Sequence, residues 1–273
     1  MALTAEPFDP NAYGPGQDAR AYWVALHSDS PYSLGPAGSV GVGGSASSVT
    51  VGQESAYLYS PAFLQVIAPL KSLPWTEFLV VWTALLIVVL RLLVGRLLFA
   101  PILLLCFPEL WGGNITILLA AAIVLGFRWA GTWAFVLLTK VTPGLGLVWF
   151  AVRREWRALA WVGVATAVIV GVSAAIAPSL WREWFDVLAG STGSTTVGAS
   201  VPIPLIVRLP VGLVVVIYAA LTDRRWLVPV AALLALPVVW WGSFAMLVGC
   251  VALRREPIEA WLRRRLTAPA TPA

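Results

Sequence analysis

Charge is what this sequence has least of. Only 11% of its 273 residues are Asp, Glu, Lys or Arg, where a soluble domain carries about 25%. Hydrophobic residues make up 59% and mean hydropathy is +0.85, which excludes a water-soluble globular chain. Histidine occurs once, at His27, and cysteine twice, at Cys106 and Cys250. A zinc or iron site draws about three or four ligands from such residues, so no metal centre is expected. Both cysteines lie within apolar runs, Leu103-Leu104-Leu105-Cys106-Phe107 and Leu247-Val248-Gly249-Cys250-Val251, and read as small buried hydrophobes. The net charge of +5 does not point to nucleic acid, because the basic residues sit in short stretches between apolar runs. Sixteen of the eighteen are arginine.

Apolar sequence is what the chain has in bulk. Runs fall at about 78–90, 97–108, 114–127, 129–139, 142–152, 158–177, 203–221, 226–238 and 241–253. They lack the period-2 alternation of a transmembrane barrel, so helices are expected. The fold class is therefore an all-α integral membrane protein, a multi-span helical bundle with about seven to nine visible spans. Only two runs approach the ~20 residues of a full span, and Pro101, Pro143, Gly144, Pro229 and Pro237 interrupt others. Short, broken helices are tolerated at membrane depth where they pack against protein or line a polar cavity.

The basic residues follow alternate runs: Arg91 and Arg96, Arg128, Arg153–Arg157, Arg224 and Arg225, then Arg254 onward. If each run crosses once, thirteen of the eighteen basic residues fall on one face, which the positive-inside rule assigns to the cytoplasm. The opposite face collects 1–77, 109–114, 140–142, 178–201 and 239–242. This divides the chain into an extracytoplasmic N-terminal loop region (1–77), a transmembrane helical domain (78–253) and a basic cytoplasmic tail (254–273). Arg263-Arg264-Arg265 in that tail suits anionic headgroups. Trp149, Trp181 and Trp184, with other tryptophans near run ends, read as interfacial anchors. Residues 1–60 are rich in Pro, Gly and Ser, and Gly35–Ser48 reads as a flexible loop. Residues 1–18 hold neither a basic n-region nor an apolar h-region. Translocating this polar segment therefore leads to the expectation of a further helix upstream of Met1.

Few residues remain for chemistry. Asp18, in Gly16-Gln17-Asp18-Ala19-Arg20-Ala21-Tyr22-Trp23, is an acid on the outer face with aromatic residues four and five positions on. Pro31-Tyr32, Tyr59-Ser60-Pro61 and Pro69-Leu70-Lys71-Ser72-Leu73-Pro74 come next. Gly113-Asn114-Ile115-Thr116, Lys140-Val141-Thr142-Pro143 and Arg153-Arg154-Glu155-Trp156-Arg157 follow. Each motif alone is weak; in this order they resemble the C-superfamily bacterial membrane glycosyltransferases, of the polyprenol-phosphate-sugar-dependent, mannosyltransferase-like kind. A Ser-Pro-x-x-Trp-x-His-Tyr element of that group is reduced here to the Pro and Trp of Leu236-Pro237-Val238-Val239-Trp240.

The resemblance implies an inverting hexosyltransferase in a bacterial plasma membrane, with its site facing the extracytoplasmic side. A mannose-like hexose or a pentose would pass from a polyprenyl-phosphate donor to a hydroxyl of a glycolipid or glycan acceptor. Asp18 would be the general base, and Lys140, with Arg20 and Arg182, would bind the donor phosphate. Tyr22, Trp23, Tyr59, Asn114 and Trp240 would contact substrate. Membrane lipids are the surrounding partner; no cofactor, metal or nucleic acid is implied, and no oligomeric state is assigned. Two other readings stay open: a transporter of a lipid-linked precursor, and a truncated or degenerate relative without activity.

Overall fold

The computed structural model describes residues 15–32, 57–190, 201 and 203–267. The loop expected at 35–48 lies outside them. Among the described residues the secondary structure is helical throughout, with no strand. In chain order the α-helices are α1 (Gln17–His27), α2 (Pro61–Ile67), α3 (Trp75–Leu105), α4 (Phe107–Gly112) and α5 (Thr116–Gly126). Then come α6 (Trp133–Thr139), α7 (Val148–Val152), α8 (Trp156–Ile176), α9 (Pro178–Gly190) and α10 (Leu205–Leu221). Last are α11 (Val228–Leu234), α12 (Val248–Leu253) and α13 (Arg255–Thr267). Short 3-10 turns lead into α6, α7, α11 and α12, so each of these apolar segments is a tight turn continued as one or two α-turns.

Two helices, α3 and α8, have the length and composition to cross a bilayer, while the other apolar segments run 10–17 residues. At 1.5 Å per residue those segments reach about 15–26 Å, short of a ~30 Å hydrocarbon core. The breaks between segments fall close to the limits expected from the apolar runs.

Helix α3 itself doubles back. A straight helix would carry Leu105 about 35 Å beyond Trp82. Yet Trp82 Nε1 donates to the Gly113 carbonyl at 2.7 Å, and Gly16 N–H, lying against Trp75 and Leu79, donates to the Trp111 carbonyl at 2.6 Å. The reversal is at Gly95, whose φ of 73° and ψ of −178° lie in a region open essentially to glycine alone. The arms on either side of it are the two runs expected at 78–90 and 97–108.

The first arm of α3 buries Phe78, Trp82, Leu86, Leu90 and Val94, one residue every four, so a single stripe faces protein. Its other faces stay apolar and exposed, as with Val80, Val88 and Leu92. On α8 the same is true of Trp161, Val164, Val168 and Val172. A helix apolar all round but buried along one stripe has lipid as its other solvent.

Contacts gather the segment ends into two groups. At one end Arg153 pairs with Asp223 at 3.0 Å, Arg225 lies over Phe127, Arg254 lies over Trp226, and Arg255 reaches the Leu92 carbonyl beside Gly95. At the other end Ser60 N–H meets the Leu138 carbonyl, Gln65 meets the Ser173 carbonyl, and Val201 N–H meets the Val239 carbonyl. The arginine-bearing turns therefore lie together, as the alternation of runs and basic residues predicts.

Two details differ from expectation. The outer stretch 178–201 lies between apolar runs, yet its first thirteen residues form α9. Trp149, Trp181 and Trp184 are buried rather than interfacial: Trp181 donates to Ser173 Oγ and Trp184 to the Leu58 carbonyl. The described parts of the N-terminal region also belong to the main core. Ala19, Tyr22 and Ala25 of α1 and Phe63 and Ile67 of α2 are buried within it.

Candidate active site

Asp18 sits in the first turn of α1, half-buried, at the end opposite the arginine-bearing turns. Helix α1 is fixed on one side by the Gly16–Trp111 hydrogen bond and on another by Tyr22, which packs edge-on against Tyr59, Phe63 and Trp82. Close approach depends on Gly113, in left-handed backbone (φ 71°); a Cβ there would lie 2.7 Å from the Cβ of Ala19. That fit places Asn114 against Asp18.

Asn114 Nδ2 donates to Asp18 Oδ2 at 3.0 Å, and Lys140 Nζ donates to Asn114 Oδ1 at 3.3 Å. The amide can take only this orientation, because an ammonium only donates and a carboxylate only accepts. Lys140 is the half-buried residue that ends α6 in extended backbone, just before the Pro143 turn. An acid from α1, an amide from the start of α5 and a cation from the end of α6 thus form one polar chain, drawn from three segments.

Asn114 Oδ1 also accepts the backbone N–H of Ile115 at 2.7 Å, a capping contact just ahead of α5. Glu109 of α4 accepts the backbone N–H of Thr116 through Oε1, satisfying one of the amides a helix start leaves unpaired. The Asn114 side chain thus serves Ile115, Asp18 and Lys140 together. Glu109 is buried at 2% exposure, and the backbone of Gly242 abuts its carboxylate. Burial pushes its pKa up to about 8, opposed by Lys140 and the Thr116 hydrogen bond and reinforced by the charge of Asp18. Burial pulls Lys140 below the usual lysine range, against the nearby negative charges of Glu109 and Asp18.

The other expected residues divide. Tyr22 and Tyr59 share a hydroxyl–hydroxyl hydrogen bond of 3.1 Å, and both feel the charge of Asp18. Tyr22 is fully enclosed, so it forms the wall behind Asp18. Arg20 is half-buried, with its guanidinium 5.6 Å from the centre of the Trp75 ring. Trp23 donates to the Leu73 carbonyl, a bond that fixes α1 to the turn before α3, and its ring lies against His27 of the same helix. Trp240 is half-buried, and its backbone N–H donates to Ser243 Oγ in the turn that abuts Glu109. Arg182 stands exposed on α9, outside the Asp18–Asn114–Lys140 chain.

Sequence reading missed two residues. Glu109 carried a signal, as an acid placed between apolar runs. Arg208, inside an apolar run, carried a stronger one. It is buried in α10 and donates to the carbonyls of Ile203, Leu234, Leu236 and Pro237 at 2.7–2.9 Å. Leu234 ends α11 and Leu236 and Pro237 follow it, where carbonyls have no helical partner. Arg208 thereby holds the segment that leads into the Trp240–Ser243 turn beside Glu109.

The protein is thus a lipid-facing bundle of short, broken helices, with an acid, an amide and a cation joined at one end. The sequence profile of glycosyltransferase family 87 matches residues 57–268, and the chain belongs to that family. The match includes Asn114, Lys140 and Glu109, while Asp18 lies before its start. Neither a curated protein nor a solved structure matches the chain. Among the described residues no group of three His, Cys, Asp or Glu side chains could hold a metal ion.

Proposed function

We propose that this glycosyltransferase moves a mannose-like hexose, or a pentose, from a polyprenyl-phosphate donor to a hydroxyl of a glycolipid or glycan. The reaction runs with inversion, on the extracytoplasmic face of a bacterial plasma membrane. The observation that carries the reading is the Asp18–Asn114–Lys140 chain, which joins a proton acceptor to a cation through one neutral amide.

In the proposed step the acceptor hydroxyl oxygen forms a bond to the anomeric carbon and passes its proton to the Asp18 carboxylate. The bond from the anomeric carbon to the phosphate oxygen breaks, and the phosphate leaves with the electron pair. Lys140 stabilises that developing anion, with Arg20 as a second cation, so the leaving group is met by fixed positive charge. Asn114 holds Asp18 and Lys140 apart and keeps the carboxylate available for the incoming proton. Tyr59 and Trp240 border the acceptor side.

Two measurements test this. Membranes containing the protein are supplied with labelled polyprenyl-phosphate mannose or arabinose, and transfer to lipid or glycan is followed. Transfer from a nucleotide sugar instead would overturn the donor class, and no transfer from any donor would favour a non-catalytic relative. Reporter fusions after Arg157, Arg225 and Arg255 should read cytoplasmic on the positive-inside rule; an external signal at Arg225 would reverse the proposed side.

A further inference from the structure

The arginine-bearing end, far from Asp18, holds a cleft of about 570 Å³ lined by Asp223, Arg224, Arg225, Trp226, Leu253 and Arg254 among others. Each arginine lies over an aromatic ring: Arg224 over Tyr218 at 5.4 Å, Arg225 over Phe127 at 5.7 Å and Arg254 over Trp226 at 5.7 Å. Stacking of this kind fixes a guanidinium plane while its N–H edge stays available for a bidentate partner. Among the described residues these three side chains make no hydrogen bond or ion pair, so their donors are unspent. The one acid in the cleft is already engaged, since Asp223 pairs with Arg153 at 3.0 Å. The cleft is therefore cationic.

Its surroundings point to the source of the anion. Beside it Leu221 is 74% exposed, and Val214 and Tyr218 on the same helix are exposed too. These are lipid-facing positions leading up to the cleft, suited to an acyl chain whose headgroup lies among the arginines. The turn that presents Arg224 is itself fixed: Asp223 has φ 54°, a left-handed conformation held by its pairing with Arg153.

We infer that this cleft is a binding site for the phosphodiester headgroup of an anionic phospholipid, with Arg224, Arg225 and Arg254 as its ligands. The site is separate from the Asp18 chain and needs no sugar donor. Guanidinium forks match phosphate oxygens in pairs, and such a site ties the bundle to an anionic leaflet at one fixed point.

The test uses the full chain in detergent, titrated with phosphatidylglycerol or phosphatidylcholine and followed by native mass spectrometry and thermal shift. Phosphatidylglycerol should be retained at least tenfold more tightly than phosphatidylcholine. The variant R224Q/R225Q/R254Q should lose that preference, while R96Q/R128Q/R157Q, which removes the same charge from exposed arginines outside the cleft, should keep it within twofold. Equal loss in the two triple variants would mean diffuse surface charge and would overturn the site. Inorganic phosphate that displaces the lipid at equal concentration would identify a free-phosphate site and overturn the lipid reading. R254K retains charge without the planar fork and should bind severalfold more weakly; binding equal to wild type would exclude bidentate recognition. If R224Q/R225Q/R254Q fails to fold, R254K decides the matter alone.

Discussion

Replacing Asp18 by Asn isolates its proposed proton-acceptor role from the structural one. Asparagine has the same shape, and its Oδ1 can still accept from Asn114 Nδ2, the 3.0 Å bond that links α1 to α5. Alanine would be the wrong comparison. It would strip Asn114 of its partner at a cost of about 1–3 kcal/mol, and α1 is part of the buried core through Ala19 and Tyr22. What asparagine cannot do is take the proton of the attacking hydroxyl. General-base catalysis contributes about 10²–10⁴ in rate, or ~2.7–5.5 kcal/mol of barrier at 1.36 kcal/mol per decade. Asp18→Asn should therefore lower kcat at least about a hundredfold, with thermal stability little changed. Asp18 is also one of the charges that hold Lys140 protonated, so the KM for donor should rise modestly as well. The assay is initial-rate transfer from a labelled polyprenyl-phosphate sugar by purified protein in nanodiscs, with donor and acceptor varied separately. Asp18→Glu, which restores a carboxylate one methylene further out, should recover part of the rate. A kcat for Asp18→Asn within threefold of wild type would refute the reasoning, and Glu109, the other carboxylate coupled to this group, would become the candidate base.

Three further outcomes follow from the same geometry. Lys140→Met should raise the KM for donor more than it lowers kcat. Because burial holds Lys140 below the ordinary lysine range, wild-type donor binding should weaken at a lower alkaline pH than a free lysine would give; a pH series of KM checks both. Glu109, with its pKa near 8 in the folded protein against 4.5 ordinarily, keeps a proton that the unfolded chain releases, so its contribution to stability falls as pH rises between those values. Glu109→Gln keeps an acceptor for Thr116 N–H, and should melt higher than wild type at pH 8, with the difference shrinking toward pH 5; melting curves in detergent at the two pH values decide this. Arg208→Met leaves four carbonyls without their donor. At about 1–3 kcal/mol for each buried carbonyl left unsatisfied, it should melt at a lower temperature, and Arg208→Lys should rescue only part because one ammonium cannot span all four; an unchanged melt would show that the clamp carries no stability.

The sequence by itself determined the class of the protein and its alternation. Long apolar runs without period-2 patterning leave helices as the only way to satisfy backbone groups in lipid. Arginines after alternate runs separate the two ends of the bundle, because charge near a membrane is restricted to its surfaces. Motif order also brought Asp18, Asn114 and Lys140 into view as candidates, since polar residues in so apolar a chain are few. Only the tertiary structure could decide which of them meet. Asp18 and Asn114 are ninety-six positions apart, and their contact depends on a hairpin at Gly95 that turns what reads as two separate runs back onto α1. The division of labour between Glu109 and Asn114 at the start of α5 was equally hidden, because Glu109 reaches Thr116 from seven residues upstream, outside the local spacing by which caps are recognised. Arg208 reads as a charge misplaced in an apolar run until the end of α11 and the stretch after it place three carbonyls around it. Composition and periodicity act through the solvent that each residue meets. Contacts across many positions depend on how the chain closes, and the linear order does not carry that.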